Sequence, residues 1–200
     1  MLRRKRFILI ISGLLIVAGV LLMLYPFFTD IRARVYQRHA LERIEQQAEV
    51  ENPVISEINA VPGEHRNTTP ATEFNDFIIE IPKIALKAVV LKGTAPQTLS
   101  KGPGWYEQSA LPGQGNTAIA GHRTMYGGWF KHIDKLVEGD NIFLTGDGKR
   151  FVYAVEYVKV VPATDWRAIK ATDTSVLTLT TCHPSGKVNR LVVRAKLIDG

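Results

Sequence analysis

Hydrophobic and polar positions divide this chain into three stretches of different rhythm. From Phe7 to Tyr25 nineteen uncharged, mostly apolar residues run without a break. As a helix rising about 1.5 Å per residue they span roughly 28 Å, close to the hydrocarbon thickness of a bilayer. From Ile31 to Val50 apolar residues are sparse (Val35, Leu41, Ile44) among many charges, which predicts a short solvated stalk helix rather than a core element. From Glu51 to Glu73 Pro, Asn, Thr, Glu and Gly dominate, with Asn52-Pro53, Pro62-Gly63 and Thr69-Pro70, the composition of a linker or draped arm.

Beyond about Phe74 the rhythm becomes that of short strands rich in Val, Ile and Thr. Strands are expected at Phe77–Ile81, ended by Pro82; at Leu86–Leu91, ended by Lys92-Gly93; and at Thr117–Gly121. Asn141–Thr145 and Lys149–Val160 flank Gly146-Asp147-Gly148, a hairpin signal. Val176–Cys182 and Arg190–Ile198 are the last two. Helical spacing occurs at Trp129–Val137, where Phe130, Ile133, Leu136 and Val137 share a face, and a helical turn is expected near Asp165–Ile169. Seven or eight short strands with one or two short helices predict a mainly β fold, a closed or nearly closed antiparallel barrel.

Strand parity is informative near the end of the chain. In Arg190 to Leu197 the apolar residues are 191, 193, 195 and 197, so Arg190, Arg194 and Lys196 face outward. In Val176 to Cys182, Leu177 and Leu179 take the inward parity, leaving Thr178, Thr180 and Cys182 outside. If these two strands pair as a hairpin across a loop from His183 to Asn189, the Cys182 thiol and the Arg190 guanidinium are neighbours. The site would then be a groove on the barrel's exterior, with the interior filled by side chains.

Charge adds a direction. The formal net charge is +6. Arg3, Arg4, Lys5 and Arg6 precede the apolar run, residues 30–76 carry −4 and residues 77–200 carry +6. The run is too long for a signal-peptide core and exits through Leu24-Tyr25-Pro26-Phe27-Phe28 without a small-x-small cleavage site. An uncleaved anchor fits better, with the N-terminus cytoplasmic by the positive-inside rule and the remainder outside. The expected organisation is a cytoplasmic stub at 1–6, a transmembrane signal-anchor at 7–28, a stalk and linker at 29–73 and a catalytic domain at 74–200. A mildly basic outer domain suits an anionic cell surface. No basic stripe interleaved with aromatics or nucleic-acid motif is present, which argues against a nucleic-acid partner.

The chain has one cysteine. A lone exported thiol has no disulfide partner within the chain, so it is either incidental or a nucleophile. Cysteine is often a small buried hydrophobe, but the outward parity and Thr-rich surroundings of Cys182 favour the nucleophile. Its thiolate needs only modest help from nearby positive charge. Of five histidines, His39 and His65 fall in the stalk and linker and His132 in the amphipathic segment. His183 adjoins the cysteine on a diverging side chain. His122, ending a strand after Gly121, is the expected acid–base residue, protonating a leaving amine and later deprotonating an incoming one. Arg190 is either an ordinary edge charge or a fixed donor for a substrate carbonyl or its oxyanion. No zinc spacing, calcium cage or P-loop is present, so neither a metal nor another cofactor is expected.

These residues together resemble the sortase family of cysteine transpeptidases. The matching pieces are Gly115-Asn116-Thr117-Ala118-Ile119-Ala120-Gly121-His122-Arg123, Thr178-Leu179-Thr180-Thr181-Cys182, and Arg190 in the following strand. Ile81-Pro82-Lys83-Ile84 and Leu136-Val137-Glu138-Gly139-Asp140 are also familiar, and the likeness runs over most of residues 77–200 in the expected order. Thr-Cys-His-Pro and Gly-His-Arg-Thr-Met-Tyr-Gly look most like the class D and class E groups. The resemblance implies an eight-stranded sortase-type barrel on the outer face of a Gram-positive-type cell, with His122, Cys182 and Arg190 as its His, Cys and Arg. It implies cleavage of a Thr–Gly bond in a Leu-Pro-x-Thr-Gly or Leu-Ala-x-Thr-Gly sorting signal through a thioacyl-enzyme. The partners implied are surface proteins bearing that signal and an amine, usually from a cell-wall precursor. No long lid with an Asp-Pro-Trp or Asp-Pro-Phe plug is evident, which argues against pilus polymerisation. Two other readings fit parts of the pattern: an exported Cys–His cell-wall peptidase, and a non-catalytic peptide-binding barrel.

Overall fold

The computed structural model describes residues 2–51 and 76–200, with 2–9, 47–51 and 187 by backbone only. The expected linker with His65, and the outset of the domain at Phe74, lie outside the described residues.

Helix α1 runs from Leu2 to Glu51. Eight strands follow: β1 (Asp76–Ile81), β2 (Leu86–Lys92), β3 (Gly104–Trp105), β4 (Asn116–Ala120), β5 (Asn141–Gly146), β6 (Lys149–Pro162), β7 (Val176–His183) and β8 (Gly186–Asp199). They close into one barrel in the order β1-β2-β3-β4-β7-β8-β6-β5. The expected closed barrel is present, but it is not wholly antiparallel. β2 pairs with β3 and β4 with β7 in parallel. The reason is connectivity: the whole β5–β6 hairpin separates β4 from β7, enough chain to re-enter the sheet in the same direction.

Alternation fills the interior as expected. Phe77, Ile79 and Ile81 of β1, Leu177 and Leu179 of β7, and Val193 and Ala195 of β8 are buried in one cluster with Ile119, Tyr153 and Phe130. The expected helix at Trp129–Val137 is only a 3-10 turn, Ile133–Lys135. Gly127 and Gly128, both at positive φ, precede it, and Leu136 is already extended. Phe130, Ile133 and Leu136 are nevertheless core residues, whereas Val137 is exposed. The turn near 165–169 is a 3-10 helix, Trp166–Ile169. The two-residue β3 and the single-turn α2 (Pro96–Leu99) gave no sequence signal, because neither is long enough to show a period.

α1 changes the picture most. Every residue from 10 to 28 is exposed, and this part of the helix is long and apolar enough to cross a membrane. The helix continues through Pro26, whose carbonyl accepts a bond from Thr29 Oγ1 at 2.8 Å. The expected solvated stalk is instead docked on the barrel. Ala40 is buried against Ile78, Val89 and Leu91, with Tyr36, Leu41 and Ile44 beside it. Ile78, Val89 and Leu91 have the outward parity of β1 and β2, so these strands are covered on both faces.

A polar lock holds the helix there. β3 reaches only Leu91 and Lys92 of β2, which leaves the backbone of Val89 facing a place where no strand of the described residues runs. The side chain of Gln37, itself buried, fills it. Its Oε1 accepts from Val89 N at 2.7 Å, and its Nε2 donates to Val89 O at 3.0 Å and Lys101 O at 3.3 Å. A single amide thus replaces one rung of a sheet and satisfies groups that are costly to bury unpaired. Gly102 is required beside it, because a Cβ there would collide with Gln37 Nε2. Gln37→Ala is expected to cost about 1–3 kcal/mol in denaturant unfolding and to speed amide exchange at Val89. An unchanged unfolding midpoint with unchanged exchange would contradict the lock.

Candidate active site

Three adjacent strands carry the three residues singled out by sequence. β7 lies between β4 and β8. Ala120 of β4 stands opposite Thr180 of β7, and Thr180 opposite Val192 of β8. Two residues further along β7, Cys182 is paired directly with Arg190. His122 lies the same two residues beyond Ala120. His122 stands just past the last paired residue of β4, so by strand position it, Cys182 and Arg190 make a row at the same end of β4, β7 and β8.

Local bonds hold the ends of the row. Gly121 N donates to Thr180 O at 3.1 Å, and Thr181 Oγ1 donates to Gly121 O at 2.8 Å. The backbone entering His122 is therefore tied to the backbone entering Cys182. Position 121 tolerates no side chain, since a Cβ there would lie 2.7 Å from the Phe130 ring. The His183–Asn189 loop expected from sequence is shorter. β7 continues through His183 and β8 starts at Gly186, with a register shift between Cys182 and His183. His183 belongs to the turn: its Nδ1 accepts from Ser185 N at 3.2 Å and lies 2.6 Å from Ser185 Oγ. His132 is exposed, and His39 Nδ1 is 3.5 Å from Glu42 Oε2 on the surface.

All three residues of the row are half-buried, and Cys182 is a free thiol. The His122 ring packs at 5.2 Å, tilted, against the Tyr126 ring. Burial holds its imidazole below the ordinary histidine pKa, because removing water penalises the charged form. Arg190 Nη1 donates to Asn189 O at 3.4 Å.

A groove leads away from Arg190, lined by Tyr106, Val161, Ala163, Trp166, Ile169, Thr180 and Val192 among others. One wall is the segment 163–170, which lies over β4, β7 and β8. Buried Asn116 fastens it, with Nδ2 donating to Ala168 O at 3.0 Å and Lys170 O at 2.8 Å, while its Oδ1 accepts from Thr178 Oγ1 at 2.7 Å. Arg194 Nη2 also donates to Ala168 O, at 3.2 Å. This wall explains why Thr178 is fully buried despite its outward parity. At the wall's start Asp165 binds Arg167 through its backbone N–H and guanidinium, and this pairing lowers the Asp165 carboxyl pKa to about 2. The groove residues were not singled out from sequence. The available signals were an exposed tryptophan, Trp166, in a loop and the Trp105-Tyr106 pair. A larger hollow, near Tyr36, Asp76, Lys92, Thr98 and Lys101, touches none of the row, whereas the smaller groove reaches Arg190. Among the described residues no three His, Cys, Asp or Glu side chains cluster as metal ligands would.

Comparison with known proteins gives this geometry a family. Residues 79–198 match the sortase domain, and the chain belongs to the sortase family. Sortase A of Bacillus anthracis is 25% identical over 193 residues, covering 90% of this chain and 88% of that one. The structure of the Sortase D5 transpeptidase from Clostridium perfringens superposes with a TM-score of 0.62 at 28% identity, covering 85% of this chain and 100% of that one. A sortase C from Clostridium perfringens, solved with the C-terminal cell wall sorting motif, superposes at 0.58 with 34% identity, covering 62% of this chain and 70% of that one. Sortases named A, D and E are all among the relatives, compatible with the class D or class E likeness. The protein is a cysteine transpeptidase, which sets aside both the unrelated Cys–His peptidase and the non-catalytic barrel.

The lowered His122 pKa carries a stability consequence. Below the ordinary value of about 6.5 the unfolded chain binds a proton at this position that the folded chain resists, so stability falls on acidification through that range. Unfolding measured at about pH 7.5 and about pH 5.5 is expected to show a smaller acid loss in His122→Gln than in wild type. Equal losses in the two would contradict a buried, neutral imidazole.

Proposed function

We propose that this chain is a membrane-anchored transpeptidase that cuts the Thr–Gly bond of a Leu-Pro-x-Thr-Gly or Leu-Ala-x-Thr-Gly sorting signal and transfers the protein to a cell-wall amine. The observation that carries this reading is the direct pairing of Cys182 with Arg190, with His122 just past the end of the neighbouring strand and a groove that reaches Arg190. The groove's apolar part suits an extended peptide whose Leu and Pro or Ala side chains pack against Val161, Trp166, Ile169 and Val192.

In this mechanism the Cys182 sulfur attacks the threonine carbonyl carbon while neutral His122 takes the thiol proton. Arg190 donates to the oxygen as it becomes an oxyanion; its charge is fixed and its donors are rigid. The C–N bond breaks, and His122 returns the proton to the departing glycine amine. A thioester on Cys182 remains. An incoming amine then attacks it, giving its proton to His122, and the sulfur leaves as thiol. The stub at 1–6, anchor at 7–28, stalk and linker at 29–73 and catalytic domain at 74–200 give this site its place. The N-terminus is cytoplasmic and the barrel outside, and α1 residues beyond Thr29 serve as a docked brace.

Full-length protein in detergent, given fluorogenic sorting-signal peptides, is expected to cleave them and to turn over faster with added amine. Cys182→Ala should remove activity, and Arg190→Ala should lower kcat by about 10²–10³, with Arg190→Lys failing to restore it. Turnover at wild-type rates without the thiol would defeat the mechanism. Comparing Pro with Ala at the second peptide position decides the signal.

A further inference from the structure

We propose that Asp30, on the turn of α1 just past the apolar span, is a positioning residue for His122. This rests on the reading of His122 as the acid–base group. The loop from Arg123 to Trp129 leaves the imidazole and folds back over it, so that Tyr126 packs on the His122 ring at 5.2 Å. To do so it places Tyr126, Gly127 and Gly128 consecutively in the left-handed region, at φ 51, 89 and 57. That conformation is unfavourable for tyrosine and persists only where surrounding contacts over-determine it. Side chains are excluded at the glycines: a Cβ on Gly127 would lie 2.9 Å from the Trp129 indole, and one on Gly128 2.9 Å from Arg123 O.

Local contacts close the loop on itself or on the barrel. Phe130 N donates to His122 O at 3.0 Å, Gly128 N to Met125 O at 3.0 Å, and Arg123 Nη2 to Asp134 Oδ2 at 3.0 Å. The contact at its tip is different in kind. Gly127 N donates to Asp30 Oδ1 at 2.9 Å, across 97 residues of chain. A bond to a carboxylate is stronger than one between neutral groups, and it falls next to the strained Tyr126. Asp30 is itself held, because Gln37 and Ala40 dock α1 onto β2. Position thus passes from β2 through Gln37 to Asp30, from Asp30 to Gly127, and from Tyr126 to the imidazole. The membrane-proximal helix is a structural part of the active site as well as a tether.

The test compares wild type, Asp30→Ala and Asp30→Asn as full chains in lipid nanodiscs. Two quantities are read: hydrogen exchange over residues 122–130 without substrate, and kcat and KM on a sorting-signal peptide. Asp30→Ala is expected to exchange faster across 124–128 with β7 and β8 unchanged, and to lose about tenfold in kcat, the scale of a displaced catalytic group. Its KM should stay within about twofold of wild type. Asp30→Asn keeps an acceptor oxygen and should recover most of both losses. Wild-type exchange and kcat in Asp30→Ala would overturn the proposal, as would an Asp30→Asn protein as impaired as Asp30→Ala. Exchange needs no turnover: a wild type inactive on peptide with a faster-exchanging Asp30→Ala loop would count against the acid–base reading alone, whereas unchanged exchange would count against Asp30 itself.

Discussion

The pairing of β7 on both its sides is the constraint from which the rest follows. Parallel to β4 and antiparallel to β8, β7 has its register set twice. A slip of one residue would turn Cys182 into the core and Leu179 out of it, so the burial of Leu177 and Leu179 is also what keeps the thiol on the surface. Cys182 and Arg190 are therefore placed by backbone ladders and by hydrophobic packing beneath. His122 stands past the end of β4, where the loop that follows it packs Tyr126 on its ring.

Much of this was legible because strand parity is a local property. The alternation in 190–197 and 176–182 puts Cys182 and Arg190 outside, and adjacent if the two strands form a hairpin; their one-to-one pairing agrees. What parity could not show was neighbourhood. β4 and β7 are sixty residues apart in the chain and meet in parallel, so nothing local announces that the strand leading to His122 lies beside the one carrying Cys182. The same limit hid the groove. Thr178 has outward parity and polar chemistry, yet Asn116 and the wall at 163–170 bury it.

The docking of the stalk is hidden from the sequence for a related reason. Its few apolar residues and many charges describe a helix that offers a narrow stripe, and a narrow stripe is enough when the surface it meets is a sheet. The complementary signal lay elsewhere, in the unbroken apolar runs Phe77-Ile78-Ile79 and Ala88-Val89-Val90-Leu91. Strands apolar on both parities need cover on both faces, and α1 is that cover. Gln37 completes it by acting as a missing strand. The expected helix at 129–137 failed differently: its apolar residues do point inward, but the left-handed glycines before it and extended Leu136 after it leave room for a single 3-10 turn.

In the proposed reaction the sulfur of Cys182 takes up an acyl group from a peptide carbonyl on the outer face of the barrel. Mass spectrometry of the full-length protein, quenched in acid during turnover of a sorting-signal peptide without added amine, tests it directly. The expected result is an adduct equal to the peptide through its threonine, located on the fragment containing Cys182 and discharged by amine. Peptide cleavage that proceeds with no such adduct, or with an adduct on another residue, would contradict it.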